Sequence, residues 1–348
     1  MSNAAAPLRV VQWATGDIGK RAMREVLSHP DMELVGVLAY NPDKAGMDAG
    51  ELCGEAACGI RVTNDRSAIH ALKADCVLYM PQVIDIEDLV AFAEAGTNIV
   101  SICMELYDGG SGMAPDDRER LAAACAKGGT SVYGTGSSPG FITDLFPYSV
   151  LSLQRRVDFY QIEEFGNMSR RNSPLMLFDQ IGFGKPMDPD AYPTPRLTSA
   201  PTAFAPIARA AGWTIDEWKT VTEFAAARSD AETVCGTVKA GTVGARRLVR
   251  TGYEKGVARM RFAQVMYITT DLDPDWNVGD TGWRVSIKGD ASLEIDLKFP
   301  VALEELGDYT PALTANPPVN AIPFVCAAKP GILATAELPP LVPAGPGG

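Results

Sequence analysis

The stretch that most constrains this chain is Leu8 to Glu25, LRVVQWATGDIGKRAMRE. A short apolar run around Val10 and Val11 ends in a tight turn, Ala14-Thr15-Gly16-Asp17-Ile18-Gly19. The turn opens onto a helix-forming segment from Lys20 to Leu27. A strand, a turn nearly free of side chains and a helix, in that order, make the layout of a dinucleotide-binding βα turn. Backbone N–H groups can approach a pyrophosphate there, and the helix N-terminus adds partial positive charge. In the strict fingerprint all three small positions are glycine. Here the first is Ala14, while Gly16 and Gly19 are kept. Alanine still permits a tight turn, so the cofactor turn comprises Ala14, Thr15, Gly16, Asp17, Ile18 and Gly19. The bland alternative is a βα turn of the same shape that binds nothing.

Strand-like and helix-like runs then alternate for about 150 residues, as in a doubly wound parallel sheet. Strands are expected at Glu33–Tyr40, Cys76–Met80, Asn98–Cys103 and Ser131–Tyr133, and helices at Ser67–Lys73, Glu87–Ala95 and Pro115–Lys127. Lys44 to Asp65 reads as a long connection without periodicity. Beyond residue 150 the pattern changes. Leu175–Ile181 and Ala203–Trp218 look helical, and between Ala231 and Pro300 alternating runs follow one another, such as VARMRFAQVMYITT, WRVSIKG and LEIDLKF. Such alternation suggests an antiparallel sheet with one covered face. The fold expected is therefore α/β: an N-terminal Rossmann-type doubly wound parallel sheet over residues 1–150, and a second α+β domain over 151–315 on a largely antiparallel sheet. A C-terminal helix at about 316–330 is expected to pack back on the first domain, with 335–348 as an exposed tail.

Charge narrows the function. With 31 basic and 43 acidic residues the net charge is −12, which leaves no electrostatic footprint for nucleic acid. No apolar run reaches the length of a membrane span, and the N-terminus has no signal-peptide pattern. The seven scattered cysteines read as reduced thiols of a cytoplasmic protein, and no metal site is expected. The two histidines, His29 and His70, fall on helical segments, so histidine-based acid–base chemistry is not expected.

In open α/β sheets, ligands bind beyond the carboxyl ends of the strands. The second strand ends Tyr40-Asn41-Pro42-Asp43-Lys44, without the carboxylate that takes a ribose 2′-OH in NAD-specific folds. Asn41 and Lys44 suit a 2′-phosphate, which favours NADP and leaves NAD open, with Asp43 the counterargument. Pro81 follows the third strand. The fourth runs straight into Glu105, a carboxylate between Met104 and Leu106 placed to exchange a proton or hold an ammonium; a solvated loop acid is its plain alternative. The fifth ends in Gly134-Thr135-Gly136-Ser137-Ser138-Pro139-Gly140-Phe141. Gly136 there lets backbone approach a flat ring, with Ser138 and Phe141 toward substrate; a plain Gly/Ser/Pro loop is the alternative. Tyr160, Trp213, Trp218, Trp276 and Trp283 are candidate pocket walls, or core. Arg170, Arg171 and Arg196 are candidate anchors by composition alone.

Together VVQWATGDIGKRAMREV, SICMELYDGG, YGTGSSPGF and VNAIPFVCAAKPGI resemble the dihydrodipicolinate-reductase-like NAD(P)-binding family, within it the 2,4-diaminopentanoate dehydrogenases and native amine dehydrogenases. The motifs cover the first 140 residues and the C-terminal helix. The resemblance implies NAD(P)H-dependent interconversion of a small ketone or aldehyde plus ammonia with a primary amine, in a homodimer. It implies that Glu105 binds and deprotonates the nitrogen, and that Asn320 packs near the nicotinamide. Ser138 stands where the family usually has Asn. Dihydrodipicolinate reductase itself is excluded, because its substrate motif needs histidines and none follows His70. The rival readings are an imine or enamine reductase and a non-catalytic dinucleotide sensor.

Overall fold

A computed structural model describes residues 6–188 and 200–343 of the chain. Two compact units emerge. The first comprises the chain up to Pro147, Thr202–Pro206 and the residues from Thr310 on; the second comprises Tyr148–Pro201 and Ile207–Tyr309.

The first unit is built on a parallel sheet. Its elements are β1 (Leu8–Trp13), α1 (Asp17–Ser28), β2 (Met32–Leu38), α2 (Ala49–Cys53), β3 (Val62–Thr63), α3 (Arg66–His70), β4 (Cys76–Tyr79), α4 (Ile86–Glu94), β5 (Asn98–Ser101), α5 (Pro115–Gly128) and β6 (Ser131–Gly134). A late strand, Gly331–Leu333, adds to β6, giving the order Gly331–Leu333, β6, β5, β4, β1, β2, β3. Every pairing in this sheet is parallel.

Side chains alternate across the strands, so the sheet needs cover on both faces. Val10, Cys76, Leu78, Val100 and Tyr133 point to one face and pack with Ala22, Met23 and Val26 of α1. Val11, Trp13, Val77, Tyr79, Ile99 and Val132 point to the other, against Ile69, Leu89, Phe92, Leu121 and Cys125. The C-terminal helix, Leu306–Cys326, places Ala315, Val319, Ile322 and Val325 in the first of these cores.

Next in the chain come β7 (Val157–Asn167), a π-type helix (Leu175–Ile181), α6 (Ala200–Ala210, of which Thr202–Pro206 count with the first unit), and, in the second unit, β8 (Glu217–Ala227), β9 (Val243–Glu254), β10 (Val257–Tyr267), β11 (Gly282–Gly289) and β12 (Leu293–Lys298). With a short strand, Leu272–Asp273, at its edge, the sheet runs Leu272–Asp273, β8, β9, β10, β7, β11, β12. Only β10 and β7 pair in parallel, so the sheet is mixed and largely antiparallel. The C-terminal helix, here α7, begins at Leu306.

Three expectations need correction. Lys44–Asp65 is structured: Asp48 caps α2 and its carboxylate accepts N–H bonds from Gly50, Cys58 and Gly59 at 2.9, 3.0 and 2.8 Å. A single buried carboxylate thus replaces the missing periodicity. Ala203–Trp218 is not one helix. Gly212 at φ +72° ends the helical part, and Glu217 and Trp218 already belong to β8, paired with Tyr253 and Gly252. The tail assigned to 335–348 is not exposed at its start. Thr335 is buried, because its hydroxyl bonds Asp144 at 2.6 Å and Tyr133 at 2.8 Å. Residues 344–348 and Arg196 lie outside the described residues.

Candidate functional site

The turn after β1 has the geometry its sequence calls for. Gly16 is the N-cap of α1, and a Cβ placed on it would meet only open space. Gly19 does the opposite job: a Cβ there would collide with the Ala14 carbonyl oxygen, so only glycine lets α1 sit this close to β1. Ala14 adopts φ +78°, the left-handed region that favours glycine. The buried Gln12 amide holds the strained carbonyl of Ala14 at 2.9 Å. Sequence reading missed Gln12; its signal was a lone amide in the run Val10-Val11-Gln12-Trp13. Asp17 is exposed in the first helical turn, and Ile18 packs against the core below.

This turn forms one wall of a cleft of about 560 Å³, lined by Ala14, Thr15 and Gly16, by Asn41 and Lys44, and by Pro81. Lys44 reaches across to Thr15, donating to its carbonyl oxygen at 2.8 Å and its hydroxyl at 3.2 Å. Both partners are neutral, so the ammonium charge stays available to an anion. Asn41 spends its side-chain oxygen on the N–H of Asp43 at 3.0 Å. Its amide N–H groups remain as donors. Tyr40 and Arg66, unforeseen in the sequence, also line the cleft. Arg66 stacks 5.7 Å from the Tyr40 ring centroid but is bound by Asp85 and Asp88 at 2.8 and 2.9 Å. An open Gly16 at a helix N-terminus, beside an uncompensated lysine and with no carboxylate at the tip of β2, fits a dinucleotide phosphate. His70 lies apart from the cleft, its ring 4.1 Å from Phe92 and its Nε2 3.6 Å from Asp88.

Glu105 lies in a short 3-10 turn, Met104–Leu106, directly after β5. It is half-buried, at the same carboxyl edge of the sheet as the glycine turn. Its charge is felt by Cys103, whose thiol burial pushes up to about 11, with the Ser101 hydrogen bond opposing and Glu105 adding. Cys103 donates to the Pro81 carbonyl at 3.3 Å, tying this turn to the cleft wall. Gly134, the last residue of β6, sets the position of the turn. A Cβ there would stand 2.6 Å from the Leu106 carbonyl carbon and 2.7 Å from the Tyr107 nitrogen. The chain just after Glu105 is therefore pressed against bare backbone.

Beyond β6 the Thr135 N–H bonds the Ser101 carbonyl at 2.8 Å. Gly136 is buried, 3.5 Å from Thr314 of α7 by the Cβ it lacks, and Ser137 bonds the Thr314 hydroxyl at 2.8 Å. Ser138 is exposed, and Phe141 is half-buried with its ring 5.8 Å from that of Phe146. Asn320 is half-buried on α7. One turn before it, Asn316 has a buried side-chain oxygen with no partner among the described residues. Behind the loop lies a polar network that the sequence did not disclose. The Tyr107 hydroxyl meets Thr143 at 2.8 Å, and burial pushes the Asp144 carboxyl up to about 6, with the Thr335 hydroxyl its main opposing bond.

In the second unit Tyr160, Trp213 and Trp283 are buried, and Trp218 and Trp276 are partly so. Arg170 is exposed and paired with Glu304 at 3.0 Å; Arg171 is exposed as well.

Comparison with known proteins now decides the family. Residues 10–131 match the model of the dihydrodipicolinate reductase N-terminus, and residues 200–345 match the 2,4-diaminopentanoate dehydrogenase C-terminal domain. The amine dehydrogenase of Streptomyces virginiae is 30% identical over 351 residues, spanning 95% of this chain and 96% of its own length. The chain belongs to the amine dehydrogenase family. It is thus a dinucleotide-binding oxidoreductase. The amine dehydrogenase structure from Mycobacterium smegmatis shares the fold, with a TM-score of 0.73 at 20% identity over 96% of this chain and 97% of that one. The 4-hydroxy-tetrahydrodipicolinate reductase of Rippkaea orientalis is similar only locally, at 36% identity over 63 residues, 18% of this chain and 23% of its own length. No helix among the described residues is long and apolar enough to cross a membrane.

Proposed function

We propose that this amine dehydrogenase family member catalyses reductive amination of a small ketone or aldehyde with ammonia, and the reverse oxidative deamination, with NADPH as the preferred reductant. The observation that carries the reading is Glu105, a half-buried carboxylate whose turn is fixed by Gly134 at the carboxyl edge of the nucleotide-binding sheet. Glu105 holds ammonia and takes a proton as nitrogen adds to the carbonyl carbon. Glu105 returns that proton to the oxygen and solvent supplies a second, so that the C–O bond breaks with loss of water as an iminium forms. A nicotinamide dinucleotide held at the Gly16 turn would supply the hydride that reduces this carbon. The chain's own residues position the reactants and the carboxylate.

Two features of the cleft support NADP: Lys44 with its charge uncompensated, and a β2 tip bearing Tyr40 and Asn41 in place of a carboxylate. Lys44→Ala is expected to weaken NADPH binding about tenfold and NADH binding little, as measured by fluorescence titration.

NADPH consumption with a panel of carbonyl compounds, with and without ammonium, tests the activity. Oxidation that requires both components supports the reading. Oxidation without ammonium replaces it with an imine or carbonyl reductase.

A further inference from the structure

Among the described acidic residues, Asp144 is the one with no exposed surface, and the steps written above do not use it. It lies in a π-type turn, Phe141–Leu145. Four hydroxyls gather round it from separate parts of the first unit. Tyr107 follows the Glu105 turn, Tyr133 belongs to β6, Thr143 is its chain neighbour and Thr335 comes from the C-terminal segment; all four are buried. A hydroxyl has one proton to give, so the direction of each bond can be counted. Thr335 donates to Asp144 at 2.6 Å, so Tyr133 is the donor in its 2.8 Å contact with Thr335. On the other arm the Gly140 N–H donates to the Thr143 hydroxyl at 2.9 Å, Thr143 meets the Tyr107 hydroxyl at 2.8 Å, and Tyr107 bonds the Asp144 carboxyl. The Leu145 N–H donates to Asp144 at 2.5 Å.

A carboxylate only accepts, so both arms run inward: Gly140 to Thr143 to Tyr107 to Asp144, and Tyr133 to Thr335 to Asp144. A proton on Asp144 arrives where each neighbour is already giving one. It breaks this convergence and loosens the hold on Tyr107. Tyr107 stands two residues after Glu105, and the chain between them is clamped by bare backbone on both sides. A Cβ on Gly134 would stand 2.7 Å from the Tyr107 nitrogen, and one on Gly112 would stand 3.0 Å from the Glu105 Cα. With no side chain there to absorb a shift, movement of Tyr107 passes to Glu105. The far end of the same arm, Gly140, packs so closely on Gly136 that a Cβ would collide with its backbone. The arm therefore joins the Glu105 turn to the loop after β6.

The ionisable groups facing Asp144 are Tyr107 and Asp108 from the segment after β5 and, through Thr335, Tyr133 of β6. Burial pushes its carboxyl up to about 6, against the bonds from Thr335, Tyr107 and the Leu145 N–H, and the Asp108 charge adds to the rise. At neutral pH the group is a buried anion held at a cost to folding, which an asparagine of the same shape would avoid. We propose that Asp144, as a carboxylate, is a positioning residue for the reaction: by drawing the Tyr107 hydroxyl inward it fixes the turn that carries Glu105. This assignment rests on the role given to Glu105 in the amine dehydrogenase reading and adds the group that sets its place.

The test uses the full-length enzyme, its Asp144→Asn and Tyr107→Phe variants and the double variant. Two quantities are followed from about pH 5 to about pH 9: kcat with a carbonyl compound and ammonium, and tyrosine difference absorbance. The wild type is expected to lose kcat as pH falls through about 6, with an absorbance change of the same midpoint. Each single variant lowers kcat about tenfold at about pH 8, leaves the NADPH dissociation constant unchanged, and abolishes both the limb and the absorbance change near pH 6. The double variant is no worse than either single one, because the two residues act as one arm. Unchanged kcat in either single variant makes the network structural and overturns the proposal. So does a limb near pH 6 that persists in Asp144→Asn, an absorbance change that survives Tyr107→Phe, or effects that multiply in the double variant. If no carbonyl compound turns over with ammonium while the absorbance change still depends on both residues, the hold of Asp144 on the turn stands and the reductive amination reading fails.

Discussion

The two sheets place their chemistry by different rules. In the parallel sheet of the first unit, the polar groups sit where strands end: Gly16 after β1, Lys44 after β2, Pro81 after β4, Glu105 after β5 and Gly136 after β6. Each lies two to six residues beyond the end of the strand that delivers it. In the mixed sheet of the second unit, the groups sit on faces, and their neighbours come from register. Arg246 and Arg247 are adjacent in the chain, yet one is buried over Phe224 and the other pairs with Glu223. Strand ends can be read along the chain; sheet faces require knowing which strands pair.

Experiments can break this contrast, beginning with the largest effect. Glu105→Gln is expected to lower kcat about 10²-fold or more while leaving the NADPH dissociation constant unchanged, seen by steady-state kinetics beside a fluorescence titration. Activity that survives would show that the strand-end rule had pointed to a bystander.

Asp144 tests the buried network behind the loop. Its folded pKa of about 6 lies above the 3.8 of an ordinary aspartate, so the native state binds this proton more tightly than the unfolded chain. The associated stability is complete below pH 4 and is lost as pH rises through 6. The loss amounts to about 3 kcal/mol. Denaturant titrations of wild type and Asp144→Asn across this range should diverge by that amount, and parallel curves would refute the shift.

Gly134→Ala inserts a methyl where the Leu106 carbonyl carbon stands 2.6 Å away. A cost of about 1–3 kcal/mol is expected in denaturant midpoints, with a fall in kcat as the Glu105 turn moves. Unchanged kcat at reduced stability would separate packing from catalysis. The smallest effect is Ala14→Gly, which relieves a non-glycine residue at φ +78°. Stability should rise by about 1 kcal/mol or less, offset in part by glycine's greater unfolded-state freedom. A loss of stability would mean that the Ala14 methyl packs usefully.

Much of the first unit was legible because its signals are local. The spacing of Gly16 and Gly19 and the apolar runs at Cys76–Tyr79 and Asn98–Ser101 each need only a few contiguous residues. What escaped has a distant partner. Strand β8 reads EWKTVTEFAAA, with alanines suited to a helix, and becomes a strand because β9 pairs along its length. Gly331–Leu333 is too short to announce itself and is a strand through β6. Thr335 was assigned to a tail, yet it joins residues about 200 positions upstream: Tyr133 and Asp144.

By itself the sequence determined the glycine turn after β1, the alternation that makes a parallel sheet, and the carboxylate after its fourth long strand. These depend on backbone conformations that a handful of neighbouring residues dictate. Tertiary structure alone decided which arginine has a counter-ion, that Gly134 presses on the Glu105 turn, and that Asp144 is buried deeply enough to hold a proton near pH 6. Burial and charge pairing are properties of groups brought together across the chain, and nothing local to Arg246 distinguishes it from Arg247.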